Sequence, residues 1–301
     1  MTSPVASAAL PEAFELESKL RIAVTAVEEA GAFLRAQAGG LIDFRGKGTT
    51  GDVVSELDVL AEQLIVRRLR GAFPDIPVLA EESGLIQAVR TRESPYLWLV
   101  DPLDGTNNLA IGLPAYATGV ALCWNGEPVV SAVHEPHSAR TWRAYRGGGL
   151  FGPPGEPTAR TRRFGAGKPL VAWTQGYGVN GTDPAKGAIK AVLEHEARRT
   201  LALWAPLLGW TMLARGDIDA FIGYRPQLID LPGGILLAQE AGFEVKNPEG
   251  DPFATRIDQH TDPEADLSFV CARPDLMPQL LDWIRRAHRL APQYARALEV
   301  Y

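Results

Sequence analysis

The stretch WLVDPLDGTNNLAIGLP, residues 98–114, joins an apolar run to two carboxylates, a glycine, a threonine and two asparagines. The apolar residues that end at Val100 are typical of a buried strand. Asp101 follows at the carboxyl end of this predicted strand, which is where open sheets place ligand sites. Pro102 stiffens the turn that would bring Asp104 back beside Asp101. The sequence therefore predicts a pair of adjacent carboxylates at the end of a buried strand.

Two carboxylates this close together need a compensating charge. At an effective dielectric constant near 20, two like charges about 4 Å apart repel by ~4 kcal/mol, which is a large share of the stability of a typical domain. A divalent cation would compensate Asp101 and Asp104, and oxygen ligands with no histidine or cysteine nearby favour Mg²⁺ over Ca²⁺ or Mn²⁺. Gly105 and Thr106 add backbone N–H groups and a hydroxyl, which suit a phosphate beside the metal.

Three further acidic segments each have two interpretations. Asp58 is a candidate site residue, but Ser55 and Asp58 also match a capping box at a helix start. Glu81 is a candidate metal ligand, although it and Glu82 could equally form a solvated loop. Asp230 could reach a metal ion, or it could serve only as the N-cap of the helix that follows it.

Composition and charge exclude several classes of protein. The chain has 301 residues, is 46% hydrophobic and carries a net charge of -6, with no basic tract of the kind that binding to a nucleic acid polymer requires. No stretch reaches the roughly 18 apolar residues of a spanning helix, and the N-terminus does not resemble a signal peptide. We therefore expect a cytoplasmic protein with no membrane partner. Cys123 and Cys271 lie in apolar runs and are predicted to be small core residues.

The order of periodic segments predicts alternating helix and sheet layers. Apolar residues spaced by three and four predict a helix over 14–36 and a second helix that ends near Gly71, with an exposed glycine-rich loop, FRGKGTTGD, between them. Short apolar runs predict strands from Val78 onward, and the second half mixes helices and strands. The predicted divisions are an N-terminal tail (1–12), one compact domain (13–288, with halves of about 13–150 and 165–288) and a C-terminal tail (289–301).

The hexapeptide DPLDGT (101–106) resembles a motif of the inositol monophosphatase family, a family of Mg²⁺-dependent, lithium-sensitive phosphatases. The segment AEES (80–83) lies about twenty residues before it and Asp230 opens a late helix, in the order and context typical of the family, over residues 15–288. The resemblance implies an α/β fold of the layered α+β type, an αβαβα sandwich, and commonly a homodimer. It also implies hydrolysis of a small-molecule phosphate ester.

The resemblance also assigns roles to individual residues. It implies one Mg²⁺ ion on Glu81, Asp101 and the carbonyl of Leu103. It implies a second ion on Asp101, Asp104 and Asp230, and a weaker third ion at Glu81 with water.

Other residues would contact the water or the substrate. The resemblance implies that Asp58 and Thr106 orient and deprotonate the attacking water, with Glu81 and Lys47 also in the catalytic site. Thr106 could otherwise be a turn hydroxyl, and Lys47 a solvated loop charge. The predicted substrate-binding residues are Asp104, Gly105, Thr106 and Arg225.

The chain departs from the family pattern in the loop before Asp230. Gly223 stands where inositol phosphatases have a glutamate that contacts ring hydroxyls, so inositol 1-phosphate is predicted to be a poor substrate and Gly223→Glu to restore the acceptor. Trp204 and Trp210 are predicted to lie in the core, or one of them to shape a pocket for a flatter substrate.

Three functions fit these observations. The leading hypothesis is a phosphomonoesterase acting on a sugar, polyol or amino-alcohol phosphate. The first alternative is a 3′(2′),5′-bisphosphate nucleotidase, in which Arg225 with Tyr224 or Trp204 would hold a second phosphate and a base. The second alternative is a catalytically degenerate metal-binding protein with a regulatory role.

Overall fold

In the computed structural model, two sheets and three helix layers alternate through the molecule. The structure describes residues 10–38, 40, 43–47, 52–90, 94–156, 158, 167–253, 256–258, 261–262 and 265–298. The helices within these residues are α1 (Ala13–Gln37), α2 (Glu56–Ala72), α3 (Thr106–Ala110), α4 (Pro184–Glu196), α5 (Pro206–Ala214), α6 (Pro232–Glu240) and α7 (Met277–Leu298).

The first half contains a hairpin and a seven-stranded sheet. The hairpin pairs β1 (Phe44–Lys47) with β2 (Asp52–Ser55). The sheet has the order β4-β3-β5-β6-β7-β8-β9 and is antiparallel except where β3 lies parallel to β5. Its strands are β3 (Val78–Ala80), β4 (Gly84–Ile86), β5 (Tyr96–Asp104), β6 (Ala117–Trp124), β7 (Glu127–Glu135), β8 (Arg140–Tyr145) and β9 (Gly149–Phe151).

The second half contributes a five-stranded mixed sheet. Its order is β11-β10-β12-β14-β13, with the first three strands parallel to one another. The strands are β10 (Leu170–Gln175), β11 (Arg199–Leu201), β12 (Ala220–Tyr224), β13 (Glu244–Lys246) and β14 (Phe269–Ala272). A 3-10 turn, Leu228–Asp230, links β12 to α6. The parallel strands all end on the side that faces the carboxyl end of β5, because residues after each of them line one cavity.

Each apolar face is covered by the next layer. Helices α1 and α2 cover one face of the seven-stranded sheet through residues such as Trp98 and Leu122. Helices α5 and α6 fill the space between the two sheets, and α4 and α7 cover the outer face of the second sheet. This order of layers confirms the predicted αβαβα sandwich. Cys123 and Cys271 are buried and unpaired, as expected for core residues.

Sequence periodicity located the long elements and missed several of the short ones. Helices α1 and α2 and strands β5 to β8 agree with the predicted segments to within a few residues. The segment FRGKGTTGD is not simply a loop, since its flanks pair as the β1–β2 hairpin. The three-residue strands β4, β9 and β11 were not predicted, because so short a segment shows little periodicity, although the equally short β3 begins at the predicted position, Val78. Helix α7 continues past residue 288, so the predicted boundary of the C-terminal tail falls within it, and the division into domain and tails stays a prediction.

Strand β5 does not end at Asp101. It continues to Asp104, and its register against β6 shifts between these two residues: Asp101 pairs with Gly119 and Asp104 with Ala117. Pro102 lies in this bulge because it has no N–H to donate to the ladder. The predicted turn is therefore a β-bulge, which changes the direction of the strand and leaves both carboxylates at its end.

No helix in the described part of the chain combines the length and the hydropathy that crossing a bilayer requires.

The two tryptophans of the segment ALWAPLLGW lie in opposite environments. Trp210 is fully buried, stacked on Phe269 with a centroid distance of 4.6 Å and edge-on to Phe221 at 4.9 Å. Trp204 is 58% exposed. The core prediction is thus right for Trp210 and wrong for Trp204.

We expect the two tryptophans to differ sharply when truncated. Trp210→Ala should lower the free energy of unfolding by about 3–5 kcal/mol, because it leaves a cavity among packed rings. Trp204→Ala should change it by less than about 0.5 kcal/mol. Urea denaturation of both variants measures the difference, and equal losses would contradict this placement of the two side chains.

Candidate active site

The bulge of β5 holds two nearly buried carboxylates. Asp101 and Asp104 are 4% and 5% exposed. Oδ1 of Asp101 has no hydrogen-bond partner among the described residues. Oδ2 of Asp104 accepts the backbone N–H of Leu207 at 2.7 Å, in the first turn of α5. The end of the first sheet is therefore tied directly to the central helix layer through a carboxylate.

Two more carboxylates face this pair from other elements. Glu81 follows β3, and its backbone N–H donates to the carbonyl of Val100 at 3.1 Å, which places it beside Asp101. Asp230 ends the 3-10 turn before α6. Helix α6 begins at Pro232 with Leu231 in the N-cap position, so Asp230 is not the N-cap of that helix.

The neighbouring carboxylates disfavour the ionisation of Asp101 and Asp104. Burial is the largest cause that raises the pKa of Asp101, and the charges of Glu81, Asp104 and Asp230 raise it further. Burial and the charge of Asp230 likewise raise the pKa of Asp104, against the hydrogen bond from Leu207. The repulsion predicted from two residues is thus shared among four.

This donor set fits a hard divalent cation. It consists of carboxylate oxygens, one of which is buried without a partner, and the carbonyl of Leu103 lies in the same wall of the cavity. No group of three acidic, histidine or cysteine side chains in the described residues already has the closeness of a formed metal cage. The fit therefore rests on three properties of the carboxylates: their burial, their oxygen ligands and their mutual repulsion. A bound cation would relieve that repulsion.

Asp58 and Thr106 form a buried pair beside the bulge. Oγ1 of Thr106 lies 2.7 Å from Oδ1 of Asp58 and 3.0 Å from the carbonyl oxygen of Leu103, and its one hydrogen can serve only one of them at a time. The other carboxylate oxygen of Asp58 accepts from the backbone and hydroxyl of Ser55 at 2.8 and 2.6 Å, which completes the predicted capping box. Asp58 therefore both caps α2 and holds Thr106.

Burial dominates the acidity of Asp58. It raises the pKa of the carboxyl, while the hydrogen bonds from Ser55 and Thr106 oppose the increase. The carboxylate can accept a proton more readily than an exposed aspartate can.

Gly105 allows the close packing of three segments. Its φ angle is +96°, which favours glycine, and a Cβ atom there would meet the Ala115 carbonyl and the Ala205 methyl at 3.0 Å. Thr106, the first residue of α3, is placed by this turn.

One cavity of about 420 Å³ lies between the ends of the two sheets and is lined by most of these residues, whereas Asp58 lies behind Thr106 and is not in the described lining. The described residues around it that were predicted from the sequence are Glu81, Asp101, Leu103, Asp104, Gly105, Thr106, Asp230 and Trp204. Lys47 is the last residue of β1, and its side chain lies outside the described part of the structure.

Comparisons with known proteins show the family of this chain. A model of the inositol monophosphatase family matches residues 15–285. The chain belongs to this family. It is 29% identical over 232 residues to a fructose-1,6-bisphosphatase/inositol-1-monophosphatase of Thermotoga maritima, covering 77% of this chain and 86% of that protein. It is 30% identical to the Nus factor SuhB of Pseudomonas aeruginosa, covering 78% and 87%.

A solved structure shows the same architecture. The extragenic suppressor protein suhB of Bartonella henselae superposes with a TM-score of 0.77 at 25% identity, covering 89% of this chain and 98% of that one. The family to which this chain belongs is a family of phosphatases.

Arg225 lies apart from the cavity that most of the predicted site residues line, in a neighbouring groove that it shares with Glu81. Arg225 is not among the described residues that line the cavity. Its guanidinium lies 3.4 Å from Asp266 and 3.9 Å from Asp183, and over the ring of Tyr224. The backbone N–H of Arg225 donates to the hydroxyl of Ser268 at 2.9 Å. Arg225 thus has partners of its own in a neighbouring groove.

Gly223 has no room for a side chain. It lies within β12 with an ordinary backbone conformation, but a Cβ atom would come within 2.2 Å of the Phe269 ring. Gly223→Glu would therefore disturb the core before it could offer a carboxylate to the cavity, and it is not a way to restore an acceptor for ring hydroxyls.

One residue that supports the site was missed at the level of sequence. Glu62 lies on α2, four residues after Asp58, and is 2% exposed. Its carboxylate accepts the backbone N–H groups of Glu82 at 2.7 Å and Ser83 at 3.1 Å, and also the Ser83 hydroxyl. Glu62 therefore holds the turn that carries Glu81. The sequence signal for Glu62 was its i, i+4 spacing from Asp58, which places the two side chains on the same face of the predicted helix.

We expect Glu62→Gln to weaken Mg²⁺ binding. The glutamine amide has only one acceptor oxygen, and its NH2 group would face backbone N–H donors of residues 82 and 83. The turn that carries Glu81 would therefore lose part of its hydrogen bonding. The apparent dissociation constant for Mg²⁺, measured by calorimetry, should rise by about tenfold. Glu56→Gln, an exposed change in the first turn of the same helix, is the matched control; equal Mg²⁺ affinity in wild type and Glu62→Gln would show that Glu62 has no positioning role.

Asp101→Asn should separate metal binding from folding. Without Mg²⁺ the variant should unfold at the same temperature as wild type or a higher one, because one of four repelling charges is removed. Mg²⁺ at about one hundred times its dissociation constant should stabilise wild type by about 2.7 kcal/mol and the variant by far less. Thermal denaturation with Mg²⁺ and with a chelator tests this, and Asp275→Asn, at an exposed carboxylate, is the control. Equal stabilisation of Asp101→Asn and wild type by Mg²⁺ would contradict the assignment.

Proposed function

We propose that this protein is a Mg²⁺-dependent phosphomonoesterase that hydrolyses a small metabolite phosphate ester. The observation that carries the proposal is Asp101, buried with an unpartnered oxygen among three further carboxylates on the wall of an open cavity. Such a group is costly to keep unless a cation and an anionic substrate use it.

The ligand sets follow the family pattern. Glu81, Asp101 and the Leu103 carbonyl would hold one Mg²⁺ ion, and Asp101, Asp104 and Asp230 a second, with a weaker third at Glu81. When bound, Mg²⁺ supplies positive charge that lowers the pKa of the attacking water and stabilises the negative charge on the phosphoryl and leaving oxygens.

Thr106 and Asp58 transfer the proton of the attacking water. Thr106 donates its hydrogen to Asp58, which leaves the lone pairs of Oγ1 directed at the cavity to accept a proton from the attacking water. As that proton arrives, the Thr106 hydrogen can move to Oδ1 of Asp58, whose raised pKa favours the transfer. The new bond joins the water oxygen to phosphorus while the bond from phosphorus to the alcohol oxygen breaks, and the released alkoxide takes a proton from solvent.

The other residues of the bulge orient the substrate. The backbone N–H groups of Gly105 and Thr106 would bind phosphate oxygens. Asp104, fixed by the N–H of Leu207, would keep its metal ligand oxygen in place. This arrangement supports direct attack by water with no covalent intermediate on the enzyme.

Two classes of substrate are candidates. A sugar, polyol or amino-alcohol phosphate fits the proposal, and a relative from Thermotoga maritima is named for fructose bisphosphate and inositol phosphate. A bisphosphate nucleotidase is the second candidate, because the exposed ring of Trp204 lines the cavity where a base could stack. For that function, Arg225 would have to leave Asp266 and Asp183.

A regulatory role is the third possibility that the comparisons suggest. The Pseudomonas aeruginosa relative is named a Nus factor. Loss of catalysis would not require Glu81, Asp101, Asp104 and Asp230 to remain, or the Asp58–Thr106 pair, so their presence favours an active enzyme. The homodimer and the cytoplasmic location stay predictions.

A phosphate-release screen tests the proposed function. The full chain would be incubated with a panel of sugar, polyol, amino-alcohol and nucleotide phosphates, with Mg²⁺ and with a chelator. We expect release from at least one ester with Mg²⁺ and none with the chelator. Absence of release from every ester at millimolar Mg²⁺ would overturn the proposal.

Thr106 provides a test of the proton path. Thr106→Val keeps the shape of the side chain but removes the hydroxyl, so kcat should fall by about 10²–10⁴-fold. Thr106→Ser retains the hydroxyl and should keep activity within about tenfold of wild type. Mg²⁺ affinity, measured in parallel, should remain close to that of wild type in both variants. A kcat for Thr106→Val near that of wild type would remove Thr106 from the mechanism.

A further inference from the structure

The cavity has a second end that the metal and the phosphate leave free. A volume of about 420 Å³ is within the range of sites that bind whole small molecules, and a phosphate group alone needs much less. Apart from the carboxylates and the bulge of β5, the cavity is lined mainly by residues that follow β10 and β11 and by one residue of α4. Prominent among them are Tyr177, Lys190 and Trp204. The alcohol part of a substrate would lie there once its phosphate is at the bulge.

Trp204 is held beside the phosphate end by its backbone. Its carbonyl oxygen lies 3.2 Å from where a Cβ of Gly105 would be. Three residues later, the N–H of Leu207 is bonded to Asp104. The segment that carries Trp204 is therefore tied to the metal-binding bulge at two points. The indole stays 58% exposed, and no aromatic ring in the described part of the chain stacks on it.

Lys190 is the basic residue of this cavity within the described lining. It lies on the exposed side of α4, and its ammonium group forms no hydrogen bond or ion pair with a described residue. Neighbouring cations are already engaged: Lys186 donates to the carbonyls of Asn180 and Gly181, and Arg225 lies against Asp266. Lys190 is thus available to an anion that enters the cavity.

We propose that Trp204 and Lys190 form a leaving-group subsite, which selects phosphate monoesters whose alcohol part carries a flat ring and a second anionic group. This inference rests on the proposed phosphatase function and specifies its substrate class. The indole offers a stacking face of the kind that binds planar rings. The ammonium group offers a charge-assisted hydrogen bond to a carboxylate or a second phosphate. A neutral polyol phosphate would use neither group.

Two matched pairs of substrates test whether a second anionic group is preferred. In each pair the members differ in the second anion: 4-carboxyphenyl phosphate against phenyl phosphate, and adenosine 3′,5′-bisphosphate against adenosine 3′-phosphate. Wild type should prefer the member with the second anion by about tenfold in kcat/KM in at least one pair, the effect of one charge-assisted hydrogen bond. The pair that shows the preference identifies the second anion as a carboxylate or a phosphate.

The variants assign the preference to the residues. Lys190→Gln should reduce the preference to near unity, and Lys190→Arg should retain part of it. Arg285→Gln, which removes a charge paired with Asp282 on α7, is the control for net charge and should retain it fully. Trp204→Ala should lower kcat/KM for ring-bearing esters by about tenfold relative to inositol 1-phosphate, whereas Trp204→Phe should lower it less.

A binding measurement makes the test independent of turnover. Thr106→Val would be titrated with both members of each pair in Mg²⁺ by calorimetry, alone and combined with Lys190→Gln. Tighter binding of the member with the second anion in at least one pair, lost with Lys190→Gln, supports the inference, even if no ester is hydrolysed and the proposed function fails. Hydrolysis without any preference between pair members, a preference that Lys190→Gln leaves intact, or equal binding of the two members in both pairs would overturn the inference while the phosphatase function stood.

Discussion

Mutual repulsion among four carboxylates, two of them buried and two partly buried, is the constraint on which the arrangement of this protein depends. Asp101 and Asp104 come from the end of β5, Glu81 from the end of β3, and Asp230 from the turn before α6. No single element could hold four such charges, because each would move toward solvent if it were free to do so. The layers fix them from different sides. Asp104 is also tied to α5 through Leu207, so the site and the central helix layer stabilise each other's position.

Helix α2 shows how one local element supports two loops. Its capping box is a local interaction, in which Ser55 and Asp58 satisfy backbone groups at the helix start. The same Asp58 carboxylate extends to Thr106, and Glu62, one turn later, bonds the turn that carries Glu81. The cost of burying these carboxylates is offset by hydrogen bonds to both loops. The cap and the proposed catalytic role of Asp58, which are alternatives at the level of sequence, are compatible in the structure, because one carboxylate oxygen serves the cap and the other contacts Thr106.

Most of the layered fold and the acidic centre could be predicted from the sequence, because both leave local signals. Apolar periodicity marks the long helices and strands, and paired carboxylates beside an apolar run mark the acidic centre. The outer end of the cavity could not be predicted in the same way. Trp204 and Trp210 occur in one apolar segment, yet only packing shows that one is buried and the other exposed. Arg225 was the conspicuous cation in sequence, whereas Lys190 reaches the cavity through the placement of α4.

The two ends of the cavity are under different physical constraints, and this difference argues for where specificity can arise. Changes at the metal end disturb coupled charges and the bonds that hold them, so few residue types are tolerated there. Strand β12 is equally constrained, since Phe269 occupies the space beside Gly223 and excludes a side chain. Trp204 and Lys190 are exposed and contribute little to the core, so substitutions at these two positions would cost little stability. Discrimination among substrates is therefore most readily set by the segments after β10 and β11 and by α4, while the chemistry at the bulge of β5 stays the same.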